Sequence, residues 1–550
     1  MMSGAIRDPQ FSGNDIPFSV ILSARMKFGM IIRLTVCLLC LAQILGTSVA
    51  SAAATSKSEH VVLIVWDGMR PDFVSPQYTP NLYDLAQHGT FFKNHHPVYI
   101  SSTEVNGTTL ATGMYPARSG IIANSEYRPD IGWAGPNATE GIEMIRRGDL
   151  ATGGKYIRVP TMCEIVQAAG FPTVVAGTKP VALLQDRSQR KTTGAGKDSI
   201  VLYNGIIMPS SLKPETKRVN DNKDFPTNTI PNTGRDEWTV KTLREVVWKK
   251  GVPKLSVIWL SEPDASQHNA SPGSDNAIAA LESSDKRLAS ILHFLEEKKI
   301  RDKTDVMVVS DHGFSTIARG FDLADILKKS GFKATKKFED AEPGDVMVVG
   351  LGGSAMLYVI DEKEEVIHRL AAFLQSSEIA GVIFSRIPIE GTFPLSAARL
   401  DPTNTLPDLI VSFKWMETKN EFNVPGYVLS EGGKRGGGTH ASLSRFDMHN
   451  TLIGNGPSFR ASFLNELPSS NADVAPTILS ILGIKQPEPM DGRVLAEALV
   501  NGKAPSGQPK TETITATREI GLRRWEQYLK TTTFGGAFYV DEGNGASTLR

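Results

Sequence analysis

Several short runs of this 550-residue chain are apolar without alternation: 61–66, 255–260, 306–310, 356–360 and 409–413. β-Branched and aliphatic side chains at consecutive positions suit strands covered on both faces, as in a parallel sheet. Between these runs lie stretches with a helical period. The clearest is 275–299, where Ile278, Leu281, Leu288, Ile291, Leu292 and Leu295 form one apolar stripe. Strands alternating with helices predict an α/β fold, a mostly parallel central sheet with helices on both faces and right-handed crossovers. No GxxxxGK[ST] loop and no strand-linked GxGxxG occurs, so neither phosphate-cradling motif supports a nucleotide-binding reading.

The pattern changes in three places. Near the start, Lys27 and Arg33 precede an uncharged apolar run at 34–45, then Val49-Ala50-Ser51-Ala52-Ala53-Ala54. A positive region, an apolar core and a small-residue site make a signal peptide, with translation expected to begin at Met26. The run is shorter than the ~20 residues that span a bilayer. Export to the periplasm or beyond is therefore expected, with no stable membrane insertion after cleavage; an uncleaved anchor is the alternative. The polar segment 186–235, with Arg187, Arg190, Lys191 and Lys197, is expected as a cap insertion over the sheet edge, its basic residues solvated. Residues 505–520 read as a linker, followed by a C-terminal hairpin turning at Gly535-Gly536. The expected division is thus an extension at 1–54, a main domain at 55–504, and linker plus hairpin at 505–550.

Lys plus Arg and Asp plus Glu each number 59, so no nucleic-acid polymer is expected as a partner. A 41% hydrophobic, 21% charged composition excludes a mainly disordered chain. Three cysteines exclude a disulfide framework, and two of them, Cys37 and Cys40, fall in the expected leader. With Cys163 alone remaining, an exported chain must be held by core packing or metal ions. No feature of the sequence points to an oligomeric state.

The chemistry lies in where the acids and histidines fall. Asp67 follows the run at 61–66; Asp264 and His268 follow 255–260; Asp311 and His312 follow 306–310. Ligands of an open parallel sheet bind beyond the carboxyl ends of its strands. A Gly-rich segment, Gly436-Gly437-Gly438-Thr439-His440, adds a third histidine. Singly, such an Asp is a turn or cap residue and such a His a structural one. Together, three Asp and three His suit two divalent metal ions of the zinc type. Ser101-Ser102-Thr103-Glu104 precedes an expected helix running toward Thr112-Gly113. A hydroxyl there is either a plain N-cap or part of a phosphate site among free backbone N–H groups. His95-His96, His449 (expected on a helix after His440) and Lys179 receive structural or surface readings, and Cys163 a buried one in the helix-like 161–169 stretch.

These residues resemble the alkaline phosphatase superfamily, specifically its type I phosphodiesterase/nucleotide pyrophosphatase branch. The matching segments are Trp66-Asp67-Gly68, Thr103-Glu104-Val105-Asn106, Thr112-Gly113-Met114-Tyr115-Pro116 with Gly120 to Asn124, Glu262-Pro263-Asp264 with His268, Asp311-His312-Gly313, Thr439-His440, Asp473-Val474-Ala475-Pro476-Thr477 and Met490-Asp491-Gly492. The resemblance implies an alkaline-phosphatase-like sheet and a small-molecule phosphoester substrate. It implies one zinc on Asp264, His268 and His440 and another on Asp67, Asp311 and His312. Thr103 is implied as the nucleophile, set against both metals and passing through a phospho-threonine intermediate, and Asn124 as the side chain that holds a non-bridging phosphate oxygen. Two Zn²⁺ against three carboxylates leave a net charge of about +1, and metal ions can bring a bound oxygen's pKa from ~15.7 to ~7. Nucleotide-cleaving members carry an aromatic residue where Glu104 stands, and Val105-Asn106-Gly107 replaces Pro-Asn-His. The expected function is a two-zinc phosphodiesterase. A phosphonate or phosphate-monoester hydrolase on the same core and a non-catalytic zinc-stabilised binding protein are the alternatives.

Overall fold

The computed structural model describes residues 58–132, 135–186, 194–338, 341–400 and 407–549. The expected signal peptide and Arg187, Arg190 and Lys191 lie outside the described residues. We number the nine strands of the main sheet β1 (His60–Trp66), β2 (Thr90–Phe92), β3 (Thr173–Gly177), β4 (Ile200–Tyr203), β5 (Ile206–Met208), β6 (Leu255–Leu260), β7 (Thr304–Val309), β8 (Leu452–Asn455) and β9 (Phe463–Asn465). Their order is β9-β2-β8-β7-β1-β6-β3-β4-β5. The five strands β7-β1-β6-β3-β4 run parallel, and β8 and β5 pair antiparallel on either side.

Five helices pack on this sheet or carry residues at its edge: α1 (Thr103–Thr112), α2 (Met162–Ala168), α3 (Asp264–Ala270), α4 (Asp275–Glu297) and α5 (Val474–Ile481). Side chains of β1 alternate between two cores. Val61, Leu63 and Val65 pack on one face with Leu110 of α1, Val166 of α2 and Ile478 of α5. Val62, Ile64 and Trp66 pack on the other with Leu281, Leu288 and Ile291 of α4. Helices on both faces explain why β1 reads as uninterrupted apolar sequence. The predicted stripe at 275–299 becomes α4, whose N-cap Ser274 accepts a hydrogen bond from the Ala277 N–H. Helix α2 opens with a capping box between Thr161 and Glu164 and buries Cys163.

Three expectations are corrected. First, the runs at 356–360 and 409–413 are not parallel strands of the main sheet. They lie in a second, six-stranded sheet, where strand Ser354–Val359 pairs antiparallel with Leu409–Phe413. Met356 and Ile410 face Leu443 and Leu529, while Leu357 and Val411 face Leu370 and Leu374 of the helix Glu364–Ser376. Burial on both faces leaves the same apolar run whichever way the neighbouring strand points. Second, within 186–235 the described residues do not simply cap the sheet: they extend it, supplying β4 and β5 at its edge. Third, residues 510–520 are not linker. They form a strand that joins Arg523–Phe534 and Ala537–Leu549 in a three-stranded antiparallel sheet turning at Gly535-Gly536. Its threonine-rich, mostly exposed sequence carries the β-branched residues of a strand without the apolar face that signals one.

This C-terminal sheet is stapled to the rest of the molecule. Gln527 bonds both the N–H and the carbonyl of Ile383, the Trp525 indole donates to Gly391 O, and the Tyr115 hydroxyl donates to Phe538 O at 2.6 Å. Among the described residues no helix is long and apolar enough to cross a membrane.

Candidate active site

Four neighbouring parallel strands deliver charged side chains to the same edge of the sheet. Asp67 directly follows β1, Asp264 opens α3 after β6, and Asp311 with His312 follows β7. The fourth is β3, whose end leads through Thr178 to Lys179. After Asp67 the chain turns at Gly68, whose φ of 71° only glycine adopts without strain. The Gly68 N–H donates to Asp311 Oδ1 at 3.0 Å and the Met69 N–H to Ser310 Oγ at 2.8 Å, tying the ends of β1 and β7 together.

The six predicted ligands form two groups, Asp264 with His268 and His440, and Asp67 with Asp311 and His312. Within each group the ligand atoms lie within 4.8 Å of one another. His268 Nε2 is 3.3 Å and His440 Nε2 3.8 Å from Asp264 Oδ1. His312 Nε2 is 3.3 Å from Asp311 Oδ2 and 3.6 Å from Asp67 Oδ1. A tetrahedral ion with bonds of ~2.1 Å would hold its ligand atoms roughly 3.4 Å apart. The groups adjoin, with the His312 and His440 rings stacked at 3.7 Å between centroids.

Two further observations fit this donor set to metal ions. Each histidine spends its Nδ1 proton on a backbone carbonyl: His268 on Gly438 O, His312 on Gly313 O and His440 on Ser101 O, at 2.9–3.0 Å. That fixes the tautomer and leaves each Nε2 lone pair facing its group. Each aspartate divides its oxygens. Asp67 Oδ1, Asp264 Oδ1 and Asp311 Oδ2, the oxygens near the Nε2 atoms, are buried without a hydrogen-bond partner. The other oxygens are satisfied: Asp67 Oδ2 by the Trp259 indole at 2.8 Å, Asp311 Oδ1 by the Gly68 and His312 N–H groups. Buried acceptors are rarely left unmet in a folded protein, so three together call for a cation. Burial raises the Asp67 carboxyl well above its ordinary range, and the nearby Asp311 adds to this. Burial brings Asp311 up to about 7.

Thr103 is the first residue of α1, and its hydroxyl lies 3.3 Å from His312 Nε2. Asn124 packs beside it, its Oδ1 accepting from the Glu104 N–H at 3.1 Å. All eight predicted site residues are therefore brought to one edge. Glu104 is only 5% exposed. It lies against Glu140, and burial together with the second carboxyl holds Glu104 well above its ordinary range. His95 is buried between Ser469 Oγ and Asn471 Oδ1, and Asn471 in turn donates to Asp311 O at 2.7 Å. His449 lies outside any helix, against the Lys93 carbonyl.

Lys179 corrects the sequence reading most. It is no surface lysine: its ammonium sits 2.9 Å from Asp67 Oδ2 and 3.1 Å from Asp264 Oδ2, one acid from each group. Although burial raises Asp264, Lys179 and His268 hold its carboxyl well below the ordinary range. With two divalent cations and Lys179 against three aspartates, the net charge is about +2 rather than +1. The strand-end rule that found the acids also reaches Lys179, two residues beyond β3. Trp259, inside β6, and Asn471 carry no comparable signal.

Comparison with known proteins gives the chain relatives in sequence and in fold. The chain is 22% identical over 468 residues to a venom phosphodiesterase of Macrovipera lebetinus, covering 82% of this chain and 46% of that protein. It is 22% identical to human ectonucleotide pyrophosphatase/phosphodiesterase family member 5, covering 47% of this chain and 45% of the relative. It thus spans about half the length of these curated relatives. Against mouse family member 7 the match is 22% identical and covers 85% of this chain and 93% of the relative. The solved structure of murine ectonucleotide pyrophosphatase/phosphodiesterase 5 superposes with a TM-score of 0.58 at 17% identity, over 80% of this chain and 100% of that one. An inactive variant of the same murine protein, in complex with AMP, superposes with a TM-score of 0.56 at 16% identity, over 80% of this chain and 100% of that one. These likenesses carry the fold, and the membership rests on sequence: the type I phosphodiesterase / nucleotide pyrophosphatase pattern runs from residue 61 to residue 415. With that pattern spanning well over half its length, the chain belongs to the type I phosphodiesterase/nucleotide pyrophosphatase family.

Proposed function

We propose that this chain is an exported phosphoester hydrolase of the phosphodiesterase type, with Thr103 as nucleophile. Asp67, Asp311 and His312 would hold one divalent cation, and Asp264, His268 and His440 the other. The single observation that carries the reading is the convergence of three committed imidazole tautomers and three unpartnered carboxylate oxygens around one hydroxyl. A carboxylate and imidazole donor set without thiolate suits zinc. Bound there, the two cations would acidify the Thr103 hydroxyl and neutralise charge on the phosphoryl oxygens.

The remaining chemistry belongs to the chain itself. Thr103 opens α1, where the backbone N–H groups of the first turn face an anionic ligand. Its oxygen attacks phosphorus in line, the P–O bond opposite breaks, and the alcohol leaves with that electron pair and gains a proton. The phosphoryl group is then esterified to Thr103. Water attacks the same phosphorus from the vacated side, the phosphate monoester that keeps the second alcohol departs, and the Thr103 oxygen takes up a proton to restore its hydroxyl. The Asn124 amide would hold a non-bridging oxygen through both steps. Glu104, buried against Glu140 where nucleotide-cleaving members carry an aromatic residue, offers a nucleobase no stacking face and favours simple alcohol esters as small-molecule substrates. A second reading, hydrolysis of phosphate monoesters on the same core, is favoured by Lys179.

The test is Thr103→Ala, assayed on bis(4-nitrophenyl) phosphate with bound metal quantified. We expect turnover to fall on the order of a thousand-fold with metal retained. Unchanged turnover removes Thr103 from the mechanism.

A further inference from the structure

The C-terminal sheet ends on an open edge. Its strand order is Lys510–Ile520, Arg523–Phe534, Ala537–Leu549, so Lys510–Ile520 has a neighbour on one side only. It pairs with Arg523–Phe534 along its whole length with no bulge. From Lys510 to Arg518, no main-chain hydrogen bond from another described element reaches its outer side. Alternate residues of such a strand hold N–H and carbonyl groups outward, ready for another strand. Folded proteins shield an exposed edge with a proline, a bulge, a covering segment or charge. Among the described residues this edge has only charge, and the charges follow a pattern.

Lys510, Glu512, Ile514, Ala516, Arg518 and Ile520 share one face of the strand. A second copy that pairs edge to edge about a two-fold axis runs antiparallel, with the axis normal to the sheet and the same face up in both strands. Full overlap centres that axis on Thr515. Glu512 then lies directly opposite Arg518 of the second copy, and by symmetry Arg518 lies opposite Glu512. Ile514, which is 41% exposed, lies opposite Ala516 on each side of the axis. Opposite charges directly across a strand pair stabilise it, and like charges destabilise it. Centring on Ile514 instead sets Lys510 against Arg518. Centring on Ala516 sets Glu512 against Ile520 and Arg518 against Ile514. Of these three registers only full overlap pairs opposite charges. Arg518 gives one N–H to Gln375 Oε1 at 2.9 Å and has further donors to offer.

We propose that Lys510–Ile520 is the interface of a two-fold dimer, in which two copies of this chain join their C-terminal sheets through the register centred on Thr515. The occupant is a second copy because the strand is complementary in charge to itself. The hydrolase reading plays no part in this.

The experiment is sedimentation velocity of the full chain from about 1 to about 100 µM, on wild type, Glu512→Arg, Arg518→Glu and the double variant, with a melt of each to confirm folding. Wild type should dimerise with concentration. Each single reversal makes both symmetric pairs repulsive and should weaken the dimer by about tenfold or more. The double variant exchanges the signs and should return to within about threefold of wild type. A second measurement serves if Arg518→Glu does not fold. In the centred register Thr515 faces its own counterpart, within the Cα separation a disulfide spans, whereas Thr511 faces Glu519. Thr515→Cys should therefore crosslink two copies under mild oxidation, and Thr511→Cys should not. A monomer throughout the range, a dimer indifferent to the single reversals, no recovery in the folded double variant, or crosslinking no greater at 515 than at 511 would each overturn the proposal.

Discussion

Asp473 shows how far a single buried carboxyl departs from solution behaviour. It lies wholly buried below α5, its oxygens accepting from the Arg493 N–H at 2.7 Å, the Ser470 N–H at 2.8 Å and the Tyr539 hydroxyl at 3.1 Å. Burial raises it to about 6, although Arg493 opposes the shift; Tyr539 and Tyr115 are the other titratable groups beside it. The unfolded value is about 3.9. Between these values the folded state binds the extra proton, so this group's contribution to stability is full below pH ~4 and is lost as the pH rises through ~6. For Asp473→Asn we expect the stability advantage of wild type over variant to shrink by about 2 kcal/mol from pH 4 to pH 6. Denaturant melts across that window check it, and a flat difference would rule it out. At this scale the sequence was readable where chemistry attaches to a strand end. Asp67, Asp264 and Asp311 stood out because carboxylates there have few structural uses in such number. Lys179 did not, because a lysine near a turn has a common surface explanation and β3 was not recognised as a strand. Trp259 was hidden by its place inside an apolar run, where its indole donor to Asp67 looks like packing.

Among the elements, the short strand Gly438–Thr439 places His440 against the end of α3, which bears His268. The approach is close: a Cβ on Gly438 would sit 2.4 Å from Gln267 O and 2.7 Å from a Phe314 ring carbon. Gly438→Ala must therefore push strand and helix apart. Overpacking of this kind costs about 1–3 kcal/mol, and the displacement separates His440 from its partners. We expect the variant to fold, melt lower, and bind one equivalent of metal less tightly than the other, as read by titration with a chromophoric chelator. Two equivalents with wild-type affinity would contradict the argument. Periodicity found the elements that carry the site, β1, β6, β7 and α4, because each buries a full face. It misassigned 356–360 and 409–413 because side-chain burial records how many faces are covered and not which way the neighbouring strand runs. It missed 510–520 because an exposed threonine-rich strand has no hydrophobic face to betray it.

At the largest scale, where Cys163 is the one cysteine among the described residues, two kinds of fastening stand in for disulfides. One is the C-terminal sheet, joined to the rest through Gln527, Trp525 and Tyr115. The other is the paired cluster of three buried acids and three histidines, which is electrostatically complete only with cations. Anything that binds the native state alone stabilises it by mass action. Treatment with EDTA should accordingly lower the melting temperature by about 5 °C or more, and added Zn²⁺ should restore it. Scanning fluorimetry reads this without any substrate, and an unmoved melting temperature would show that the cluster holds no structural ion.

The carbonyl of Ser101 belongs to the backbone turn that launches α1, the helix Thr103 opens, yet it also receives the His440 ring proton. Thr103 and the cluster of acids and histidines are consequently one mechanical part, and under the proposed mechanism the hydroxyl could not be re-aimed without disturbing the groups proposed to hold cations. A change of substrate would then fall to side chains outside that cage, such as Asn124 and Glu140 beside Glu104.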